Sequence, residues 1–488
     1  MKKYLSFLLG MLILLSACSQ ATVSDVSGQG RPDAAAVDPG VTEAEEPDET
    51  DPHYVLPDID LGGRSFQMIV GEGHNVSLVP EETGEALNDA KYAMEQVVEE
   101  GLNVEIGETE TEFWGMSSEV ARLLQSGDTT YDAVAMMDRF AVATASNGGF
   151  LSLASIDSVN LSEPYWGGPL ADELKIGLKA YFAVSSMNLK SYANVACMYL
   201  NRRLAGDYNM AIPFDEVFEG KWTKDMLLSY AGLATVDLNG DGVMDASDRY
   251  TYGPGDIRGL PYQFLIGWNE RVIRKDGDDM PYLAVYDSER YLDLLTVVHG
   301  MMYSGENDLT GFMNRDTGTL SAGTMFKNGQ VLFFTSVFGS MDGLREMEDD
   351  FTLLPRPKYD ATQARYISRT YDSTFYMIPV TEADPEFSGV VLDALSCAAY
   401  YDMIPVYLDT VLKIKLARDE QTRDCIEICF DGRTLEFAEA YLADYFMDEK
   451  MFDIMLGGPG TFVSSLEKNK KMCQKKLEKL VKALEKMG

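Results

Sequence analysis

Three observations in the sequence predict an α/β protein built as two lobes. Between residues 64 and 137, short apolar runs alternate with amphipathic helical patterns, the signature of a largely parallel sheet. Beyond an acidic N-terminal stretch lie about 430 residues, more than one hydrophobic core holds. The stretch Tyr131 to Leu153, YDAVAMMDRFAVATASNGGFLSL, reads as a buried strand that runs into a charged corner at Asp138 and Arg139.

The N-terminus carries Lys2 and Lys3, an apolar run from Leu5 to Leu15, and then Leu15-Ser16-Ala17-Cys18. This pattern is an export signal, and Leu-Ser-Ala-Cys resembles a bacterial lipobox. The resemblance implies a signal peptide over residues 1–17 and two-chain acylation that anchors Cys18 stably to the membrane. Residues 18–57 are rich in Asp, Glu, Ala, Gly, Ser, Thr and Pro and almost free of large apolar side chains, so they are expected to form an acidic disordered tether.

The body opens with a strand, Arg64 to Val70. A helix from Gly84 to Glu100, a strand from Asn103 to Ile106 and a helix from Ser117 to Leu124 follow before the organising strand at 132–137. In open α/β sheets ligands bind beyond the carboxyl ends of the strands, which makes Asp138 and Arg139 candidate ligand contacts. A surface ion pair capping the next helix is the alternative. Replacement of either by Ala is expected to abolish binding with little loss of stability.

Further along stand Tyr165-Trp166, Tyr181-Phe-Ala-Val184, Met198-Tyr-Leu-Asn-Arg202, Gly220-Lys-Trp-Thr223, Phe326-Lys-Asn-Gly-Gln330 and Leu353-Leu-Pro-Arg-Pro-Lys-Tyr-Asp360. Their order, over about residues 57–440, resembles the extracellular solute-binding lipoproteins of ABC importers. That resemblance implies a type II periplasmic-binding-protein-like α/β fold, with ligand trapped between two hinged lobes. Lobe 1 is expected to comprise 58–186 plus 334–385, and lobe 2 to comprise 187–333 plus 386–488. The crossings fall near 185–193, 333–340 and 384–389. The Asp138-Arg139 corner resembles the one whose Asp and Arg bind sugar hydroxyls in maltodextrin-binding members, although Ala135 stands where a stacking Trp occurs there. The same comparison implies an aromatic platform at Phe338. Implied partners are a small solute, in the first place a sugar, and the transmembrane subunits of a permease. The protein is expected to act as a monomer.

Aromatic platforms and planar polar groups are what a sugar's apolar faces and hydroxyl rim require. Trp114 and Trp268 have loop-like neighbours and are candidates, whereas Trp166 and Trp222 read as anchors for their turns. Arg369 and Asp372 precede the strand Phe375 to Val380 and are placed to reach the crevice.

The most specific local motif is Asp237-Leu-Asn-Gly-Asp-Gly-Val-Met-Asp-Ala-Ser-Asp248. Asp237, Asn239, Asp241, Asp245 and Asp248, with the carbonyl of Val243, follow the oxygen spacing of a calcium loop, so a structural calcium is expected at 237–248. Only the entering helix is foreseen, since Gly253 and Pro254 interrupt any exiting one. The alternative is an ion-free turn whose side chains bond their own backbone.

A net charge of −37 excludes nucleic acid and anionic membrane as partners of the body. The five cysteines after Cys18 form no disulfide or zinc pattern and read as small core residues. No second stretch is read as a membrane span. Residues 465–487 form an amphipathic C-terminal helix with a solvated lysine face. The reading is a binding protein and not an enzyme. A glycan-binding surface lipoprotein without a transport role, and a glycoside hydrolase using paired carboxylates, are its rivals.

Overall fold

The computed structural model describes residues 56–74, 81–254, 260–303, 322–344, 346–413, 420–446 and 448–486. The signal peptide, Cys18 and nearly all of the tether lie outside the described residues.

Two four-stranded sheets organise the body. The first contains β1 (Arg64–Gly71), β2 (Val104–Thr111), β3 (Ala133–Met137) and a late strand, Thr374–Met377, in the order Thr374–Met377, β3, β1, β2. β1 runs parallel to β2 and to β3, while Thr374–Met377 is antiparallel to β3. Every residue of β3 is buried, as its unbroken apolarity requires when both sheet faces are covered. The helices Ala86–Leu102 and Met116–Ser126 return the chain between the strands, burying Met94, Val98 and Leu102 from one and Met116, Val120 and Leu123 from the other.

The second sheet contains β4 (Ala196–Asn201), β5 (Tyr250–Pro254), a strand Val331–Val337 and a strand Phe351–Leu354. A hairpin of β6 (Ile273–Lys275) and β7 (Pro281–Leu283) stands outside it. In chain order the later strands are β8 (Val331–Val337), β9 (Phe351–Leu354), β10 (Ser368–Arg369), β11 (Thr374–Met377) and β12 (Arg433–Thr434).

Between the sheets the chain passes first from Ala183, bridged to Tyr376 of β11, to Val195, bridged to Thr370. β10 pairs in parallel with β12, so the segments around 195, 370 and 434 lie side by side.

The expected lobe boundaries need two corrections. The return does not fall at 333–340, because β8 continues to Val337 and β9 pairs with β4, keeping residues through Leu354 in the second sheet. The passage back comes between Leu354 and Thr374. The helix Pro385–Ala398, assigned from sequence to lobe 2, packs instead on the first sheet. Its Phe387 meets Phe66 edge-on at 6.3 Å, and Asp393 accepts hydrogen bonds from Tyr165 Oη at 2.8 Å and Trp166 Nε1 at 2.7 Å. Trp166 is thus an anchor.

The stretch Pro385–Thr410 does have the length and apolarity of a membrane span, contrary to the sequence reading. More than half of its most apolar window is buried, and the reason is its place against the core, where Val391, Leu392 and Leu395 are fully enclosed. The helix Phe462–Glu485 buries Leu466, Cys473, Leu477, Leu480 and Leu484 along one stripe and leaves lysines outside.

Candidate functional site at the edge of the first sheet

β1 and β3 are parallel, so their carboxyl ends share an edge, and antiparallel β11 brings its amino end to the same place with Thr374 opposite Met137. Residues 74, 138 and 372–374 thereby become neighbours although they are far apart in sequence. β1 ends at Gly71, and three residues later His74 turns inward. Its Nδ1 lies 2.9 Å from Thr374 Oγ1 and its Nε2 lies 3.3 Å from Lys190 Nζ. Lys190 donates to Asp372 Oδ2 at 2.9 Å, and Asp372 Oδ1 is 3.7 Å from His74 Nε2. Asp372 holds a left-handed backbone, φ +52°, a conformation that Asp tolerates better than most residues but still at a cost.

Asp138 opens the helix Asp138–Ala145. Its N–H donates to Ser373 O at 3.0 Å and its Oδ1 accepts from Arg139 N–H at 2.6 Å. Arg139 is half-buried. Gly149, at φ +112°, ends the connection from this helix, and that backbone conformation, which L side chains rarely adopt, is what calls for glycine there.

The electrostatics follow from enclosure. Burial, with Lys190 adding, lowers His74 to about 4, so the imidazole is neutral at physiological pH. Burial raises Asp138 to about 6, and the nearby carboxylate of Asp372 pushes it the same way. Arg369 is buried in an ion pair with Glu439, and its guanidinium lies 4.6 Å from the ring centre of Tyr371. Burial pushes Glu439 upward against the pull of Arg369, and Asp138 adds to the upward shift. Asp138, Asp372 and Glu439 therefore form one acidic group interleaved with Lys190 and Arg369.

Trp114 stands beside this group. It is 76% exposed, whereas Trp166, Trp222 and Trp268 are each fully buried. Its ring packs edge-on against Phe113 at 5.0 Å and Phe140 at 5.9 Å, and Phe113 stacks on His74 at 6.1 Å. An indole held by two aromatic neighbours and presented to solvent next to carboxylates and an ammonium has the composition of a sugar-binding surface.

Of the residues proposed from sequence, Asp138, Arg139, Arg369, Asp372 and Trp114 meet at or beside this corner. Trp268 does not: it is enclosed against Phe264 at 5.1 Å. Phe338 is 2% exposed and stacked on Phe430 at 4.8 Å, so its face is already taken by the core. Asp138 is itself buried and its carboxylate accepts from the Arg139 amide, so it has a structural place as well as a position at the corner. Sequence reasoning missed His74, Lys190, Thr374 and Glu439. The only available signals were that His74 is one of three histidines and that Lys190 falls in a crossing segment.

The loop 237–248 is a self-bonded turn in this structure. Asp237 accepts from Gly240 N–H at 2.6 Å and Gly242 N–H at 2.8 Å. Asn239, Asp241 and Asp245 accept from the N–H groups of Asp241, Val243 and Ser247, each at 2.8 Å. Buried Asp248 accepts from Leu238 N–H at 2.9 Å and Asp245 N–H at 2.8 Å. Among the described residues no three His, Cys, Asp or Glu side chains gather closely enough to hold a metal ion. These bonds from Asp and Asn side chains to amides a few residues on hold the turn together locally. The helix Lys224–Ser229 enters and strand β5 leaves, as the Gly and Pro foretell.

No protein-family model matches the chain, and no curated protein matches it either. Among solved structures, UspC of M. tuberculosis is similar with a TM-score of 0.57 at 14% identity, over 84% of this chain and 100% of that one. A cyclo/maltodextrin-binding protein complexed with maltotetraose is similar with a TM-score of 0.50 at 12% identity, over 86% of this chain and 96% of that one. The chain has the type II periplasmic-binding-protein fold. An ABC substrate-binding protein from Listeria monocytogenes in complex with cycloalternan gives 0.49 at 12% identity, over 87% of this chain and 99% of that one. At these identities the likeness to maltodextrin-binding-type proteins is one of fold, and the binding chemistry must be read from the side chains.

Proposed function

We propose that the protein is the extracytoplasmic, lipid-anchored solute-binding component of an ABC importer, that it captures a carbohydrate or oligosaccharide, and that it performs no chemistry. The observation that carries this reading is the exposed Trp114 ring beside the Asp138, Lys190 and Asp372 group at the carboxyl edge of the first sheet. The indole offers a flat apolar face, and the charged groups offer the planar and multi-donor partners that hydroxyls require.

The type II fold supports the mechanism, since ligand gripped from both sheets favours the closed arrangement by its differential affinity. Support for export and anchoring comes from the N-terminal sequence, with Cys18 as the acylated residue; Cys18→Ser is expected to release the protein from membranes into the medium. Calcium at Asp237, Asn239, Asp241, Val243, Asp245 and Asp248 rests on oxygen spacing, and binding requires these groups to turn from the loop amides toward a common centre.

The test is fluorescence titration of the full chain with neutral mono- and oligosaccharides. The other three tryptophans are enclosed, so a saturable change in the wild type that vanishes in Trp114→Phe reports this surface. Saturable binding of peptides and of no sugar would sink the carbohydrate reading, and turnover of a bound oligosaccharide would sink the claim of pure binding.

A further inference from the structure

This acidic chain carries a cavity of the opposite sign. Among the described residues, a cavity of about 420 Å³ lies between the strand β6, the segment 363–367 and the segment 435–437, with Glu173 of the helix Ala171–Leu174 on one side. Six charged side chains line it and four of them are cations, Arg271, Arg274, Lys275 and Arg365, whereas the whole chain has 78 Asp and Glu against 41 Lys and Arg. Its volume is that of a small-molecule site.

The two carboxylates are committed to the protein. Buried Glu436 accepts from Arg271 Nη1 at 3.4 Å and from the N–H groups of Ile273 and Ala438, both at 3.3 Å. Glu173 accepts from the Thr434 hydroxyl at 3.2 Å. Arg271 is spent alongside them, since it also donates to Thr434 Oγ1 at 2.8 Å.

The remaining three cations are bonded chiefly to backbone carbonyls. Arg274 Nη2 donates to Asn269 O at 2.7 Å, Arg365 Nη1 to Asp431 O at 3.1 Å, and Lys275 Nζ to Asp172 O at 2.6 Å. One carboxylate, Asp279, stands 3.3 Å from Lys275. A carbonyl satisfies one donor without neutralising the charge. Each guanidinium keeps its other N–H groups in a planar fork, the geometry that grips an oxyanion through two parallel bonds.

A second cavity of about 260 Å³ shares Asn269, Gln363 and Ala364 with the first and is lined also by Tyr359, Arg290, Thr362 and Asp360, whose carboxylate is taken up by the Thr362 amide and hydroxyl. It provides room for the uncharged remainder of a ligand whose anionic group sits in the first.

We infer that these cavities form a second ligand site, which takes a small molecule bearing a carboxylate, sulfate or phosphate group held by Arg274, Lys275 and Arg365. This site shares no residue with the Trp114 corner and stands or falls independently of it.

The test is calorimetric titration of the full chain with galacturonate, galactose, inorganic phosphate and inorganic sulfate at low salt. Binding of at least one anion, none by galactose at this site, and a loss of affinity of about tenfold or more in Arg274→Ala and in Arg365→Ala are expected. Arg274→Lys keeps the charge and loses the fork, so it should fall between wild type and Arg274→Ala. Comparison of the three anions identifies which oxyanion the site prefers. Equal binding of galactose and galacturonate, failure of all three anions, or full anion affinity in the Arg274→Ala/Arg365→Ala double variant would overturn the inference. Should the double variant misfold by circular dichroism, Arg365→Ala alone decides, because exposed Arg365 makes only a surface bond. Neutral-sugar titration followed at Trp114 in the same variants shows separately whether the corner works.

Discussion

The corner of the first sheet and the loop 237–248 are both rich in carboxylates and use them differently. At the corner Asp138 and Glu439 are buried; enclosure raises the proton affinity of both, Asp372 adding to it at Asp138 and Asp138 adding to it at Glu439. In the loop Asp237 is half-buried and Asp245 exposed; the N–H groups of Gly242 and Gly240 hold the first below the usual carboxylate range, and the hydroxyl and N–H of Ser247 do so for the second. Local hydrogen bonding stabilises the ionised form, and enclosure among other acids destabilises it. The first arrangement makes a robust turn. The second stores unfavourable electrostatics that a ligand's hydroxyls or a closing lobe can relieve.

The largest effect that would sharpen this contrast is at Arg369. Arg369→Ala leaves Glu439 buried without its partner, and a loss of roughly 3–5 kcal/mol is expected in urea denaturation. A loss no greater than a surface ion pair gives would show that the corner is not desolvated.

Next comes pH. The folded-state value of Asp138, about 6, exceeds its unfolded value, so the folded protein holds a proton the unfolded chain releases, and stability falls as pH rises from about 4 to about 6. For His74, at about 4 in the folded state, the sign reverses, and stability is lost as pH falls from about 6.5 to about 4. The two contributions oppose one another in the wild type. Asp138→Asn keeps an acceptor for the Arg139 amide and removes the first, so it should gain on the order of 2 kcal/mol at pH 7 and expose the His74 slope. Denaturation midpoints at pH 5 and pH 7 check this; unchanged slopes would mean that the corner titrates like the loop.

A smaller effect is expected from Trp114→Ala, which should weaken sugar binding roughly ten- to thirtyfold with no change in melting temperature, because the ring is mostly exposed. The smallest belongs to the loop. Asp237→Ala should leave sugar affinity unchanged and remove any calcium-dependent rise in melting temperature. A calcium-dependent change in sugar affinity would break the separation of the two regions.

Residue periodicity carried much of this protein on its own. The uniformly apolar 133–137 could only be a strand covered on both faces, and the stripe Leu466, Cys473, Leu477, Leu480, Leu484 could only bury one side of a helix. The turn at 237–248 was equally legible, because its Asp and Asn side chains act on backbone groups within a few residues. Tertiary structure alone decided the rest. Phe338 and Trp268 have the right chemistry for platforms, yet Phe430 and Phe264 cover them, and no local pattern records which face a distant ring will occupy. β9 joined the second sheet by pairing with a strand about 150 residues earlier, which placed the passage between sheets beyond where the sequence suggested. His74, Lys190 and Asp372 became one cluster only because parallel strands align their carboxyl ends while antiparallel β11 delivers its amino end to the same edge. Side-chain periodicity is a local property of the chain, whereas a site is a meeting of strand ends, and strand pairing over long separations is what determines who meets.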